Sequence, residues 1–269
     1  MFQFFRSKKA EPELPHITAS VPEGERVYAV GDIHGRSDLF ISLIEAIEQD
    51  NRDAGPADTT VILLGDLVDR GPDSINVIAL AREWMKFRKV RVLIGNHEEM
   101  FLRSFDNLDM LRHFLRHGGR ETVLSYGLDK KAYTRASIDE VQEMMAAAVP
   151  QEDLDFIAGF EDMIRIGDYL FVHAGIEPGV PLEQQNVGKL RWIREPFLSH
   201  QEPHEFVVVH GHTIAEEPVD QGNRIGIDTG AYMHGRLTAL VLEGQSRRFL
   251  SAIDDGEGSI SISGSLVSQ

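Results

Sequence analysis

The 269-residue chain contains no cysteine. This excludes disulfides, thiolate nucleophiles and sulfur-ligated metal sites. Positive charge is also scarce: 27 lysines and arginines face 43 acidic residues, a formal charge of −16. No basic surface stands out to release counterions, so a nucleic acid polymer is not an expected partner. A local basic pocket for a nucleotide stays open. No apolar run is long enough to span a membrane. The opening residues MFQFFRSKKAEPELP set apolar side chains before basic ones and lack the apolar stretch of a secretory signal. These absences leave a cytoplasmic protein as the expectation.

The hydrophobic fraction is 42%, enough for a sizeable core. The length fits one α/β domain with an insert, or two small domains. Residues 1–24, with Pro12, Pro15 and Pro22, read as a flexible leader. From 25 onward, short apolar runs alternate with helical patterns. Strands are expected at 26–30, 59–64 and 90–94, followed by helices over 38–49, 73–87 and 97–105. Ser37 or Asp38 is the expected cap of the first helix, and Pro72 opens the second. Three strand–loop–helix units in succession imply parallel strands with right-handed crossovers. Between about 106 and 160 the pattern turns helical and predicts an insert over the functional edge of the sheet. Strands resume at 163–166 and 169–172, with Gly167-Asp168 as a two-residue hairpin. Further strands are expected near 206–210, 223–228, 236–242 and 247–252. The catalytic domain is expected over 25–253, and the Gly-, Ser- and acid-rich stretch 254–269 as a flexible tail.

Six short islands carry the chemistry: Gly31-Asp32-Ile33-His34-Gly35, Gly65-Asp66-Leu67-Val68-Asp69-Arg70-Gly71, Gly95-Asn96-His97-Glu98, His173-Ala174-Gly175, Trp192-Ile193-Arg194 and Gly211-His212-Thr213. Most follow a strand-like run, and functional groups of open α/β sheets gather at the carboxyl ends of strands. Each island alone fits a turn equally well; the ordered set does not. Asp32 and His34 are two residues apart and face one way in extended backbone. Asp66 can place a carboxylate between two ions, Asn96 offers an amide oxygen, and His173 and His212 add imidazoles. Oxygen and nitrogen donors without sulfur suit two divalent ions, Mn²⁺ first, with Fe or Zn²⁺ as alternatives, rather than Ca²⁺. Two ions about 3.5–4 Å apart can share and activate a water for in-line attack on phosphorus. Arg70 and Arg194 are the candidate phosphate clamps, since a guanidinium grips two oxygens at once. His97 stands next to Asn96 without having to bind an ion, and Asp69 could charge it as the acid that protonates the leaving group. His113, His117, His210 and His234 receive no role here. Arg36 and the Gly118-Gly119-Arg120 break are weaker candidates for substrate contact.

In this order the islands resemble the phosphoprotein phosphatase (PPP) branch of the calcineurin-like metallophosphoesterase superfamily. GDIHG, GDLVDRG, GNHE, HAG and GHT follow one another as they do there, over about residues 27–250. The resemblance implies a four-layer α/β/β/α sandwich with a helical insert. It implies that Asp32, His34 and Asp66 hold a first metal, and that Asp66, Asn96, His173 and His212 hold a second. By the same resemblance His97 and Asp69 form the acid pair, and Arg70 and Arg194 bind phosphate. Where many metallophosphoesterases read GHxH, with the second His on the first metal, this chain has Ile214. Asp69 and Glu98 stand where related bacterial diadenosine tetraphosphate hydrolases tend to differ. The expected activity is therefore a metal-dependent serine/threonine protein phosphatase, acting on a phosphoprotein or small phosphate ester. A nucleotide or diadenosine tetraphosphate hydrolase is the alternative, and an inactive phosphate-binding module the third reading. Ile227-Asp228-Thr229-Gly230-Ala231-Tyr232 replaces the SAPNY-type segment of the eukaryotic relatives.

Overall fold

A computed structural model describes residues 19–266. The first half lays down β1 (Glu25–Val30), α1 (Ser37–Asp53), β2 (Asp58–Leu63), α2 (Ser74–Trp84), β3 (Lys89–Val92) and α3 (Asn96–Arg103). Helices α4 (Leu108–Phe114), α5 (Arg120–Ser125), α6 (Lys130–Arg135), α7 (Ile138–Ala148) and α8 (Gln151–Ala158) follow. The chain then forms β4 (Met163–Ile166), β5 (Tyr169–Val172), α9 (Val187–Trp192), β6 (Val207–His210), β7 (Val219–Asp220) and β8 (Arg224–Gly226). It ends with α10 (Ala231–His234), β9 (Arg236–Glu243), β10 (Ser246–Asp254) and β11 (Ile260–Leu266).

Two mixed sheets result, ordered β11-β10-β9-β1-β2-β3 and β4-β5-β6-β8-β7. As expected from the repeated units, β1, β2 and β3 are parallel. Strand β9 runs antiparallel to β1. Alternation along the strands builds the layers. Val27 and Ala29 of β1, Ile62 of β2, and Leu240 and Leu242 of β9 face Tyr169, Phe171, Val207 and Val209 of the second sheet. The opposite faces, with Tyr28, Val30, Val61 and Leu63, pack under Leu39, Phe40, Leu43 and Ile47 of α1 and under α2. Strands buried on both faces read as continuous apolar runs, which is why they are visible in sequence. The far side of the second sheet is covered thinly, by Leu190 of α9 with Ile193, Phe197 and Phe206. Among the described residues no helix is long and apolar enough to cross a membrane.

The stretch 106–160 is helical. It extends the outer helical layer, with Leu111, Phe114, Val123, Val141, Met145 and Ile157 in the same core as α1 and α2. One corner, residues 117–122, reaches the functional edge.

Three sequence expectations change. The leader falls mostly outside the described residues, but 19–24 are packed rather than free. Ala19 and Val21 are buried, and the Val21 N–H donates to the Gly244 carbonyl at 3.0 Å. The tail is not free from 254 either: β11 pairs antiparallel with β10, from Asp254↔Ile260 to Arg248↔Leu266. Its Ile-Ser-Ile-Ser alternation is a strand pattern whose Ser and Gly content masks it, and Ile260 packs on the helix-side core. Finally, α1 is capped by neither Ser37 nor Asp38. Arg36 occupies the cap position without a side-chain cap, and Ser37 Oγ donates to Asp73 Oδ2 at 2.5 Å instead.

Candidate active site

The carboxyl ends of β1, β2, β3, β5 and β6 converge, each handing its chain to one island. Two buried clusters form, His34–Asp66–His97 and Asp66–His173–His212, and in each the potential ligand atoms lie within 4.8 Å of one another. Asp66 belongs to both. Its Oδ2 stands 3.6 Å from His34 Nε2 and 3.9 Å from His97 Nε2. Its Oδ1 stands 3.4 Å from His173 Nε2 and accepts the His97 N–H at 3.0 Å. Asn96 Oδ1 lies 2.9 Å from His173 Nε2 and 2.8 Å from His212 Nδ1. Asp32 is buried beside them, and both its oxygens accept the His212 N–H, at 3.2 and 3.0 Å.

The imidazoles are oriented as ligands would be. His34 donates Nδ1–H to the Val68 carbonyl at 2.8 Å, and His173 donates Nδ1–H to the Leu64 carbonyl at 2.8 Å. Each therefore turns Nε2 inward, toward Arg70 Nη1 from His34 and toward Asn96 Oδ1 from His173, the arrangement by which a backbone carbonyl orients a metal-binding histidine. His212 Nε2 is buried without any partner. An orphaned buried donor-acceptor atom in a cluster of carboxylate, amide and imidazole groups fits hard or borderline divalent cations. The residues present thus fit the dinuclear group.

Electrostatics point the same way. Burial pushes Asp66 up, but His173, His97 and His34 around it outweigh that and hold it well below the usual carboxylate range. Burial, then repulsion from Asp228 and Asp66, drives Asp32 well above it. Burial depresses His212 to about 3, and His173 adds to it. For His173 the opposing pull of Asp66 outweighs burial and raises it. Added positive charge in this cluster would favour the ionised form of Asp32, which burial and its acidic neighbours oppose.

The expected acid pair is in contact: His97 Nδ1 lies 2.6 Å from Asp69 Oδ2. Both are buried. Burial depresses His97 to about 4, and burial pushes Asp69 well above its ordinary value. The short contact engages Nδ1 and leaves Nε2 as the ring atom that can carry a proton to a leaving group.

The two arginines differ. Arg70 Nη1 donates to His34 Nε2 at 2.9 Å, and its guanidinium lies 4.9 Å over the Tyr232 ring. Arg194 is exposed just beyond α9; its charge reaches His212. Arg36 turns away, binding Asp38, Asp254 and the Ala231 carbonyl. His210 packs against Phe197.

Other residues hold the site together in ways the sequence did not announce. Glu98 is fully buried, and its two oxygens accept the N–H groups of Asp66, Leu67, Val68 and Gly95 at 2.7–3.3 Å. The signal was present, since a Glu three residues past a helix cap is half of a capping box. Thr122 Oγ1 donates to Asp69 Oδ1 at 2.6 Å, and the Gly118 carbonyl accepts the Arg70 N–H at 3.0 Å. Trp192, partly exposed, is pinned by Nε1–H to Glu99 Oε2 at 2.8 Å and lies 6.4 Å from the His113 ring. The His113 and His117 rings lie 4.1 Å apart on the same rim, tilted by 42° to one another.

The sequence profile described as calcineurin-like phosphoesterase matches residues 25–237. Serine/threonine-protein phosphatase 1 of Salmonella typhimurium is 29% identical over 236 residues, 84% of this chain and 96% of that protein. The asymmetrical bis(5'-nucleosyl)-tetraphosphatase PrpE of Bacillus velezensis is 26% identical over 238 residues, 78% of this chain and 86% of that protein. Among solved structures, a provisionally named diadenosine tetraphosphatase superimposes with a TM-score of 0.59 at 22% identity, covering 93% of this chain and 96% of that one. At such identity the superposition speaks for the fold.

Proposed function

As the chain belongs to the calcineurin-like phosphoesterase family, we propose that this metal-dependent hydrolase removes phosphate from phosphoserine or phosphothreonine in proteins. The carrying observation is the 2.6 Å contact between Asp69 and His97. An alkoxide leaves phosphorus only with a proton, and a buried, oriented imidazole supplies one. A polyphosphate leaving group has far less need of it. The Salmonella relative, named a serine/threonine phosphatase and matched over nearly all its length, supports the same reading.

Asp32, His34 and Asp66 would hold one ion, and Asp66, Asn96, His173 and His212 the other, with Mn²⁺ the first choice. When bound, the pair supplies positive charge for the phosphoryl oxygens and makes water nucleophilic near neutral pH. The chain's own groups do the rest. Arg70 and Arg194 grip the remaining phosphoryl oxygens and offset the charge that grows on them. Tyr232 backs the Arg70 guanidinium, and the Gly118 carbonyl fixes its backbone. His97 gives its Nε2 proton to the departing oxygen, while Asp69, steadied by Thr122, holds the ring in line.

The test varies the leaving group. His97→Asn should cut hydrolysis of a phosphoserine peptide by about 10²–10⁴-fold, the range of general acid catalysis, and spare nitrophenyl phosphate, whose phenolate leaves unaided. Equal losses on both substrates would remove the acid role. A second reading has its own observation: the exposed Trp192 indole beside His113 offers a planar face for a nucleobase, and relatives such as that of Bacillus velezensis are named nucleosyl-tetraphosphatases. A strong preference for diadenosine tetraphosphate over the phosphopeptide would favour it.

A further inference from the structure

Five buried side-chain polar atoms have no partner among the described residues, and three of them, His212 Nε2, Thr213 Oγ1 and Asp228 Oδ2, lie at one end of the second sheet. Asp228 stands out because an unpaired carboxylate oxygen is the costliest of these to bury. It is only 2% exposed. Its other oxygen is engaged, Oδ1 accepting the Gly230 N–H at 3.0 Å. Its backbone is fixed as well: the Asp228 carbonyl accepts the Ala215 N–H at 3.0 Å, and the Ile227 N–H donates to the His210 carbonyl at 2.9 Å. A Cβ on Gly31 would meet the Ile227 carbonyl at 2.2 Å, so the ends of β1 and β8 are pressed together. Asp228 therefore sits where Asp32 leaves β1 and where the 212–215 loop leaves β6.

Its electrostatic neighbours are those of the metal site. Asp228 repels Asp32 more strongly than Asp66 does, and it senses Asp66, His173 and Arg70 in turn. Three buried carboxylates, Asp32, Asp66 and Asp228, thus share one region. The donors assigned above leave the first ion with three protein ligands and the second with four. Asp228 is the charge that acts most strongly on Asp32, a residue of the site with fewer donors.

We propose that Asp228 completes the first metal site, its free Oδ2 serving the ion held by Asp32, His34 and Asp66 directly or through one water. This rests on the dinuclear reading given above. It adds to that reading a residue whose Asp-Thr-Gly context otherwise looks like a turn. Geometry carries the inference: a buried carboxylate whose Oδ1 is held by the Gly230 N–H and whose carbonyl is held by the Ala215 N–H, with Oδ2 left without a partner, is placed for a cation rather than for the fold.

The experiment is a metal titration of the full-length protein. Chelator-stripped wild type is titrated with Mn²⁺, with bound metal measured by calorimetry and elemental analysis. It should take up two ions. Asp228→Asn keeps the volume and an acceptor for the Gly230 N–H. It should weaken one of the two sites by about 10–100-fold, the usual cost of losing a supporting metal-site group, and leave the other constant unchanged. Asp32→Asn is the control and should weaken that same site more. If Asp228→Asn binds both ions with wild-type constants while Asp32→Asn loses one, the role of Asp228 is refuted and the dinuclear reading stands. If the wild type binds fewer than two ions, both fall together. Asp228→Ser, smaller and equally uncharged, is titrated in parallel after its circular dichroism is checked, and must show the same weakening.

Discussion

Glu98→Gln gives the sharpest test of how this site is held together. Glu98 Oε1 accepts the N–H groups of Leu67 and Val68 at 2.7 and 3.3 Å; Oε2 accepts those of Asp66 and Gly95, both at 2.9 Å. Burial, then Asp66, pushes the group up to about 7. Four amide donors argue the other way, because neither oxygen has room for a proton. If the carboxylate is ionised, glutamine must place its NH₂ against two of these amides, whichever way it turns. Two buried N–H groups then lose their acceptor at about 1–3 kcal/mol each, roughly 2–6 kcal/mol in all. In a chain of this size that is a fall in melting temperature of roughly 10 °C. The assay is urea unfolding of wild type and variant with metal chelated, so that ion binding does not enter. A loss below about 1 kcal/mol would mean that Glu98 already carries a proton, which glutamine imitates, and the argument from the four amides would fail.

Other perturbations reach different parts of the site. Gly118 has φ +105°, and an added Cβ would meet Arg70 Cγ at 2.6 Å and its amide nitrogen at 2.8 Å. Gly118→Ala should displace Arg70 and raise KM about tenfold, the value of one charge-assisted hydrogen bond; an unchanged KM would separate Gly118 from phosphate binding. Asp66→Asn removes the carboxylate common to both clusters and should abolish most activity along with tight binding of both ions; two tightly held ions in the variant would refute the bridging assignment. His204 is depressed to about 4, by burial and then by His200. Its folded value lies below the unfolded value of about 6.5, so its stabilisation is complete above that pH and is lost as pH falls toward 4. Being partly exposed, it should contribute about 1 kcal/mol at most. Urea midpoints at pH 7 and pH 5 should differ less in His204→Phe than in wild type, and an equal difference would rule the residue out.

Local pattern made the strands and ligands legible. Val27 to Val30 or Thr59 to Leu64 announce strands because both faces are buried, and the glycine after each marks the turn into an island. What escaped depends on contacts between distant segments or on weak patterns. Thr122 meets Asp69 across 53 residues, and nothing in the local sequence of either announces it. Strand β7 is two residues long, too short for any periodicity. Strand β11 alternates, but its polar positions are all Ser and Gly264 interrupts its apolar ones, and Ser and Gly also compose loops. The environment of His97 escaped for another reason: burial opposes its charge, and burial at a given residue is a property of the fold.

The backbone explains why the islands sit together in a sequence so plainly. Among the described residues, five that are not glycine have φ in the left-handed region: His34, Asp66, Asp69, Arg70 and His212. All five are island residues. Each such conformation costs about 1 kcal/mol or more, so together they approach the net stability of about 5–15 kcal/mol that a domain has available. Each strained residue has its N–H bound by a distant segment. His34 donates to the Asp66 carbonyl and Arg70 to the Gly118 carbonyl. Asp66 donates to Glu98, Asp69 to Ser74 and Thr122, and His212 to Asp32. The strain in one island is thus offset by another island or by the helical stretch, and no island is stable in this shape alone. Two further consequences follow. The ligands are preorganised by the fold before any ion arrives, and an ion that draws the carboxylates together must raise the stability of the whole molecule rather than of one loop.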